Sequence, residues 1–287
     1  MNPIAKPGCA TRCGNVTIPY PFGFGLDEEC SMGYWYNIRC NTTFNPPKPF
    51  LSESRNLEIL EISETHIRTN NFIAKRCYGS EEAVKSNKLI NTVMMYLTTS
   101  PFMFSSTANK LTVIGCDDVA FFNSTLGQDF STTGCLATCS TIDDVLKHNG
   151  SCSGLGCCQT PIPNGLKTFT LGLESPFKHR SVMKFNPCGY AFLADKDKYT
   201  FNVADLSDPT FLSRINNNLP VVLDWVVGAN ETCRSAQKNS TSYACQNNTN
   251  CTDFDIGSGG YRCSCLRGYE GNPYLPPGCT GLVLFRH

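Results

Sequence analysis

At 287 residues, with 24 Lys and Arg against 24 Asp and Glu, the chain carries no net charge. That excludes a global pull towards nucleic acid and leaves only local patches to consider. Its 18 cysteines exclude a reducing compartment, where each would have to be kept reduced or metal-bound, whereas an even number in an oxidising one simply pairs. Eight Asn-x-Ser/Thr sequons, at Asn15, Asn41, Asn123, Asn149, Asn230, Asn239, Asn247 and Asn250, agree, and predict a glycosylated extracellular protein.

Met1 to Gly8 hold no apolar signal-peptide core. No run approaches the ~18 apolar residues of a membrane helix; the best, Leu219 to Ala229, is interrupted by Pro220 and Asp224, so no membrane span is expected in this chain. In Ile18-Pro19-Tyr20-Pro21-Phe22-Gly23 two prolines fix φ and remove two amide donors, which excludes a helix or a central strand. The aromatics there either line a shallow sugar-stacking face or plug a small core, and the core is favoured. Leu57 to Ile62, broken by Glu58 and Glu61, reads as a strand with one wet face. Val93–Leu97, Leu111–Ile114, Ala120–Phe122 and Val221–Val227 are short β-branched or aromatic runs bounded by turn formers, hence strands. The one clear helical pattern is Asp143 to His148, with Thr141 as cap and Gly150 as stop. A composition seam runs from Ala137 to Gly156. The adjacent Cys157 and Cys158 are expected to reach separate partners, because a bridge between neighbours is strained. Cys9/Cys13 and Cys135/Cys139 have the spacing of helix neighbours or of a zinc half-site, and disulfides are the favoured reading. Metal is expected nowhere.

Six cysteines crowd the last stretch, Cys233, Cys245, Cys251, Cys263, Cys265 and Cys279, with gaps of 11, 5, 11, 1 and 13 residues. So short a segment cannot fold on apolar burial alone and needs covalent staples. One residue between Cys263 and Cys265 is too few for zinc ligands, and no histidine lies near. Six cysteines allow fifteen pairings, and spacing does not choose among them. The pattern resembles an EGF-like module, and that resemblance implies Cys233–Cys251, Cys245–Cys263 and Cys265–Cys279.

Five motifs stand in order along the chain: Cys9 to Gly23; Gly156-Cys157-Cys158-Gln159-Thr160-Pro161-Ile162-Pro163; Asn186-Pro187-Cys188-Gly189-Tyr190-Ala191-Phe192; Leu219 to Trp225; and Gly268-Tyr269-Glu270-Gly271-Asn272-Pro273-Tyr274. Together they resemble the extracellular part of plant wall-associated receptor kinases. The resemblance implies a β-rich, disulfide-stapled, small multi-domain protein with little helix. Its expected parts are a cysteine-rich galacturonan-binding domain at 9–136, a linking cysteine-rich region at 137–232, an EGF-like module at 233–279 and a tail at 280–287. Family receptors often continue into a second, calcium-binding EGF module, a transmembrane helix and a Ser/Thr kinase; the tail here reads as a truncation or an alternative gene end.

An enzyme is not expected. His66, His148, His179 and His287 stand in no catalytic motif, and no nucleophile elbow, zinc-protease helix or kinase signature is present. Asp117-Asp118 and Asp143-Asp144 read as solvated surface acids. What the resemblance implies is binding of an acidic cell-wall polysaccharide, de-esterified galacturonan, on the wall-facing side of the plasma membrane. Such a polyanion is held by spaced cations rather than by a deep pocket. The first candidates are Arg55, Arg68, Lys75 and Arg76, among the basic set Arg12, Arg39, Lys48, Arg55, Arg68, Lys75 and Arg76; Lys178 and Arg180, with Lys184, form a second cluster. No cofactor is expected, calcium entering only as a bridge between wall carboxylates and protein acids. Two other readings are a protein- or peptide-binding ectodomain meeting a co-receptor, and a secreted decoy without a kinase.

Overall fold

The structure is a computed structural model that describes residues 3–25, 28–52, 57–79, 91–97, 99–126, 129–239, 242–254 and 259–281. It is strand-rich with little helix, and its cysteines form nine disulfides. Among the described residues no helix is long and apolar enough to cross a membrane. The chain divides into two compact units. The first comprises 1–69, 99–102 and 223–287; the second comprises 70–98 and 103–222.

The second unit holds two four-stranded antiparallel sheets. One runs Cys157–Pro161, Asn109–Ile114, Cys188–Asp195, Ile73–Cys77 in spatial order. Its central strand Cys188–Asp195 is buried on both faces, because alternate side chains face two different layers. Tyr190, Phe192 and Ala194 pack with Phe201, Phe211 and Ile215, the last two from the helix Phe211–Asn218. The other sheet runs Asp129–Thr138, Asp117–Leu126, Thr168–Glu174, Thr92–Tyr96. It buries Ala120, Phe122, Phe169 and Leu171 on one side and keeps the other wet, the alternation expected of a half-covered antiparallel sheet. Four bridges pin this unit: Cys77–Cys188, Cys116–Cys139, Cys135–Cys158 and Cys152–Cys157. Cys157 and Cys158 thus reach separate partners. The helix Ile142–Leu146 begins where Thr141 accepts a hydrogen bond from Asp144 N, a regular N-cap.

The first unit is built from hairpins and staples. Ile38–Asn41 pairs with Lys48–Leu51, and Thr249–Asp253 pairs with Tyr261–Cys265. The Ile59–Ile62/His66–Thr69 hairpin is extended by Leu223–Trp225 and Phe102. Tyr269–Glu270 pairs with Thr280–Gly281, so the tail begins as a strand; residues 282–287 lie outside the described residues. The bridges are Cys9–Cys30, Cys13–Cys40, Cys233–Cys251, Cys245–Cys263 and Cys265–Cys279.

Candidate functional site

Within the first unit, three of the sequence motifs converge on Trp225. Phe22 meets its ring edge-on at 5.2 Å between centroids, and Tyr274 lies at 5.7 Å. The Trp225 indole donates to Ser63 O at 3.2 Å, and Arg262 Nε donates to Trp225 O at 2.6 Å. Asn272 Nδ2 donates to Tyr20 O at 2.6 Å, while its Oδ1 accepts from Tyr274 N at 2.9 Å. Ile18 and Phe22 are fully buried and Tyr20 nearly so, which makes this motif core. Tyr36, whose hydroxyl donates to Val226 O at 2.6 Å, has its pKa pushed far up by burial. Beside this core a groove of about 280 Å³ is lined by Pro19, Tyr20, Pro21, Trp225 and Tyr274, with the exposed acids Glu64 and Glu270 at its rim.

A different surface forms on the Ile38–Asn41/Lys48–Leu51 hairpin. Its register places Arg39 opposite Phe50 and Asn41 opposite Lys48. Residues two apart on a strand share a face, so all four side chains stand on one side. The Arg39 guanidinium lies 5.4 Å from the Phe50 ring centroid, the Phe44 and Phe50 centroids are 6.2 Å apart, and the Lys48 ammonium lies 5.2 Å from the Phe44 centroid. Phe44 is 43 % exposed. The result is a pair of rings with a cation at either end. Lys48 also pairs with Glu58 at 2.9 Å, which neutralises part of its charge. Arg39 further borders an open polar cleft of about 520 Å³ with Asn37 and Ser52. Phe50 is buried, so Phe44 is the ring open to the apolar face of a sugar, and the two cations are placed to meet carboxylates.

Of the four first candidates, three fall among the described residues, one in the first unit and two in the second. Arg55 lies outside the described residues. Arg68 is half-buried and bonded to Glu61 at 2.6 Å. Lys75 and Arg76 belong to the second unit, where neighbours on the strand Ile73–Cys77 point to opposite faces. Burial lowers the pKa of Lys75, and Arg76 lies over the Tyr78 ring. Lys178, Arg180 and Lys184 are exposed on one turn region of the second unit. Lys48, weighed in the sequence only as one of seven basic residues, gains its place from a register that no local pattern announces.

The second unit also corrects the reading of Asp117 and Asp118 as solvated acids. Both are buried. Asp117 accepts from Ser175 Oγ at 2.7 Å and from the amides of Phe177 and His179 at 3.0 Å. Those bonds hold Lys178 and His179 in the left-handed region, φ 55° and 54°, where residues with a Cβ are strained. Asp118 Oδ2 lies 2.9 Å from His179 Nε2 with both side chains fully buried, and His179 Nδ1 donates to Asn186 O at 2.7 Å. Asp117 also borders a cleft of about 490 Å³ with Asp144, Lys147 and His148, and Asp118 is not among the residues lining it.

Comparison with known proteins decides the family. Residues 9–71 match the family described as wall-associated receptor kinase galacturonan-binding. Wall-associated receptor kinase 2 of Arabidopsis thaliana is 36 % identical over 275 residues, 96 % of this chain and 34 % of that protein. The chain is a wall-associated-kinase-like ectodomain. Wall-associated receptor kinases 1 and 3 of the same plant are 34 % and 32 % identical over 98 % and 96 % of the chain. The ectodomain spans about a third of the length of these curated relatives. No solved structure matches it. The segment matched by the galacturonan-binding family holds the whole cation–aromatic row, Arg39 to Phe50, together with the Arg68–Glu61 pair.

Proposed function

We propose that this ectodomain binds de-esterified galacturonan through the Arg39–Phe50–Phe44–Lys48 face and, as part of a receptor, reports the state of the cell wall. One observation carries the reading: two cations flank a pair of rings on a single hairpin face inside the segment that matches a galacturonan-binding family. Arg39 offers a planar fork that matches a carboxylate, and Lys48 offers a point charge that also pairs with Glu58. The test is binding to polygalacturonate against the fully methyl-esterified polymer over a salt titration. Binding is expected to the first only, and to weaken steeply as salt screens the contacts. Equal binding to both polymers overturns the reading.

A second reading, a peptide-binding ectodomain, is favoured by the groove beside Trp225. Proline and aromatic walls with Glu64 and Glu270 at the rim suit an extended, proline-containing basic segment. Its competition assay is displacement of such a peptide by substitution of Glu64 and Glu270 with Gln, with polygalacturonate binding unchanged.

A further inference from the structure

The wet face of the Asp117–Leu126 sheet carries large apolar side chains that no described element covers: Tyr96 is 59 % exposed, Met94 58 % and Phe121 42 %. Their register is specific. Phe121 stands between Gly134 and Gly172, Asn123 between Thr132 and Thr170, and Thr125 opposite Thr168. A Cβ built on Gly172 would meet nothing within 4 Å, so the space beside the Phe121 ring is open. Phe121, Asn123 and Thr125 face out, while Phe122 and Ser124 between them are buried. Residues 123–125 are a sequon, and it lies wholly within the strand with an aromatic residue two positions before its asparagine. At the other seven sequons that position holds Cys13, Arg39, Lys147, Gly228, Gln237, Cys245 and Asn248. Thr132 Oγ1 donates to Asn123 Oδ1 at 2.9 Å, which steadies the amide through its oxygen and leaves the nitrogen, the atom that carries a glycan.

We infer that Asn123 carries an N-linked glycan whose first sugar packs on the Phe121 ring, so that the covering layer of this sheet face is the protein's own carbohydrate. Two residues along a strand are separated by about 7 Å, which brings the ring within reach of a sugar attached at Asn123 Nδ2. The apolar face of a pyranose then covers an exposed aromatic ring that has no side chain on either flank, and the surrounding threonines offer hydroxyls to its polar edge. The glycan here is a structural part, unlike one that merely projects from a loop.

The test uses the full chain secreted from a glycosylating host. Peptide mapping by mass spectrometry reads occupancy at Asn123, and melting is compared for the parent, Asn123→Gln, Phe121→Ala and the double variant. Either single change is expected to lower the melting temperature by about 2–4 °C, and the double change to lower it no further, the non-additivity of two groups in contact. Trimming every glycan to its first sugar leaves the parent unchanged. Should Asn123→Gln fail to be secreted, complete enzymatic deglycosylation of the parent and of Phe121→Ala reads the same pair, with the larger drop expected in the parent. An unoccupied Asn123, or equal drops in the two proteins, overturns the inference.

Discussion

Asp118 Oδ2 and His179 Nε2 lie 2.9 Å apart in a fully buried pair, and His179 Nδ1 is committed as a donor to Asn186 O. Burial raises the pKa of Asp118 against the pull of the imidazole. For His179 burial acts downward, but the hydrogen bond and charge of Asp118 prevail and raise it. Both shifts have the same sign. For His179 a raised folded value contributes stability that is complete below its unfolded pKa of about 6.5 and fades as pH rises through the folded one; for Asp118 the same fading starts from its own unfolded value of about 3.9. Melting of the parent should therefore fall from pH 6 towards pH 9. Asp118→Asn keeps a donor for Nε2 without a titrating carboxyl, and should flatten that slope. Parallel slopes in thermal melts of the two proteins would count against coupling between the two side chains.

Asn272 is the next target. Its side chain, 9 % exposed, satisfies Tyr20 O and Tyr274 N together. Asn272→Ala strands both groups in a buried setting, at a cost of about 1–3 kcal/mol. Chemical denaturation monitored by tryptophan fluorescence reports it directly, because Trp225 sits beside Tyr274. A change within error would mean that water replaces both contacts.

The disulfides should differ in worth according to the loops they close. Cys77–Cys188 spans 111 residues and Cys152–Cys157 spans 5. On chain entropy alone the first contributes about 5 kcal/mol and the second about 2 kcal/mol. Serine replacement of each pair, followed by urea unfolding, should rank them in that order, and the reverse ranking would show that local packing outweighs loop closure here.

Arg39→Gln and Lys48→Gln should each weaken polygalacturonate binding by up to about fivefold, since an exposed ion pair contributes only about 0–1 kcal/mol. The double change should weaken it further while circular dichroism stays unchanged. Lys178→Gln with Arg180→Gln should leave affinity as it was; if that pair abolishes binding instead, the site belongs to the second unit. Asn41 stands opposite Lys48 on the same face, so trimming a glycan there should leave binding intact or improve it.

Local chemistry made much of this legible. The β-branched run Val93–Leu97 is seen as Thr92–Tyr96, and Leu111–Ile114 extends back to Asn109. Thr141 caps its helix because an acidic first turn follows a hydroxyl residue. The ten-residue strands Asp117–Leu126 and Asp129–Thr138 were harder to see, because their wet faces are filled with Ser, Thr, Asn and Gly, residues shared with loops. Asp118 looked like surface charge because its partner lies 61 positions away. The Arg39–Lys48 face depends on hairpin register, and register is a tertiary property.

The first unit is assembled from pieces at both ends of the chain, with the second unit written between them. During synthesis Tyr20 emerges 252 residues before Asn272, the donor that binds its carbonyl. At roughly 5–20 residues per second, the amino-terminal hairpins wait on the order of ten to fifty seconds for Trp225, Asn272 and Tyr274 to arrive. The inserted unit has all of its own strands and four bridges available before then, so it can be finished while its host is still incomplete. In chain order the parts of the inserted unit are thus complete before those of its host, and the proline- and aromatic-rich amino-terminal segment is the part that waits longest for its partners.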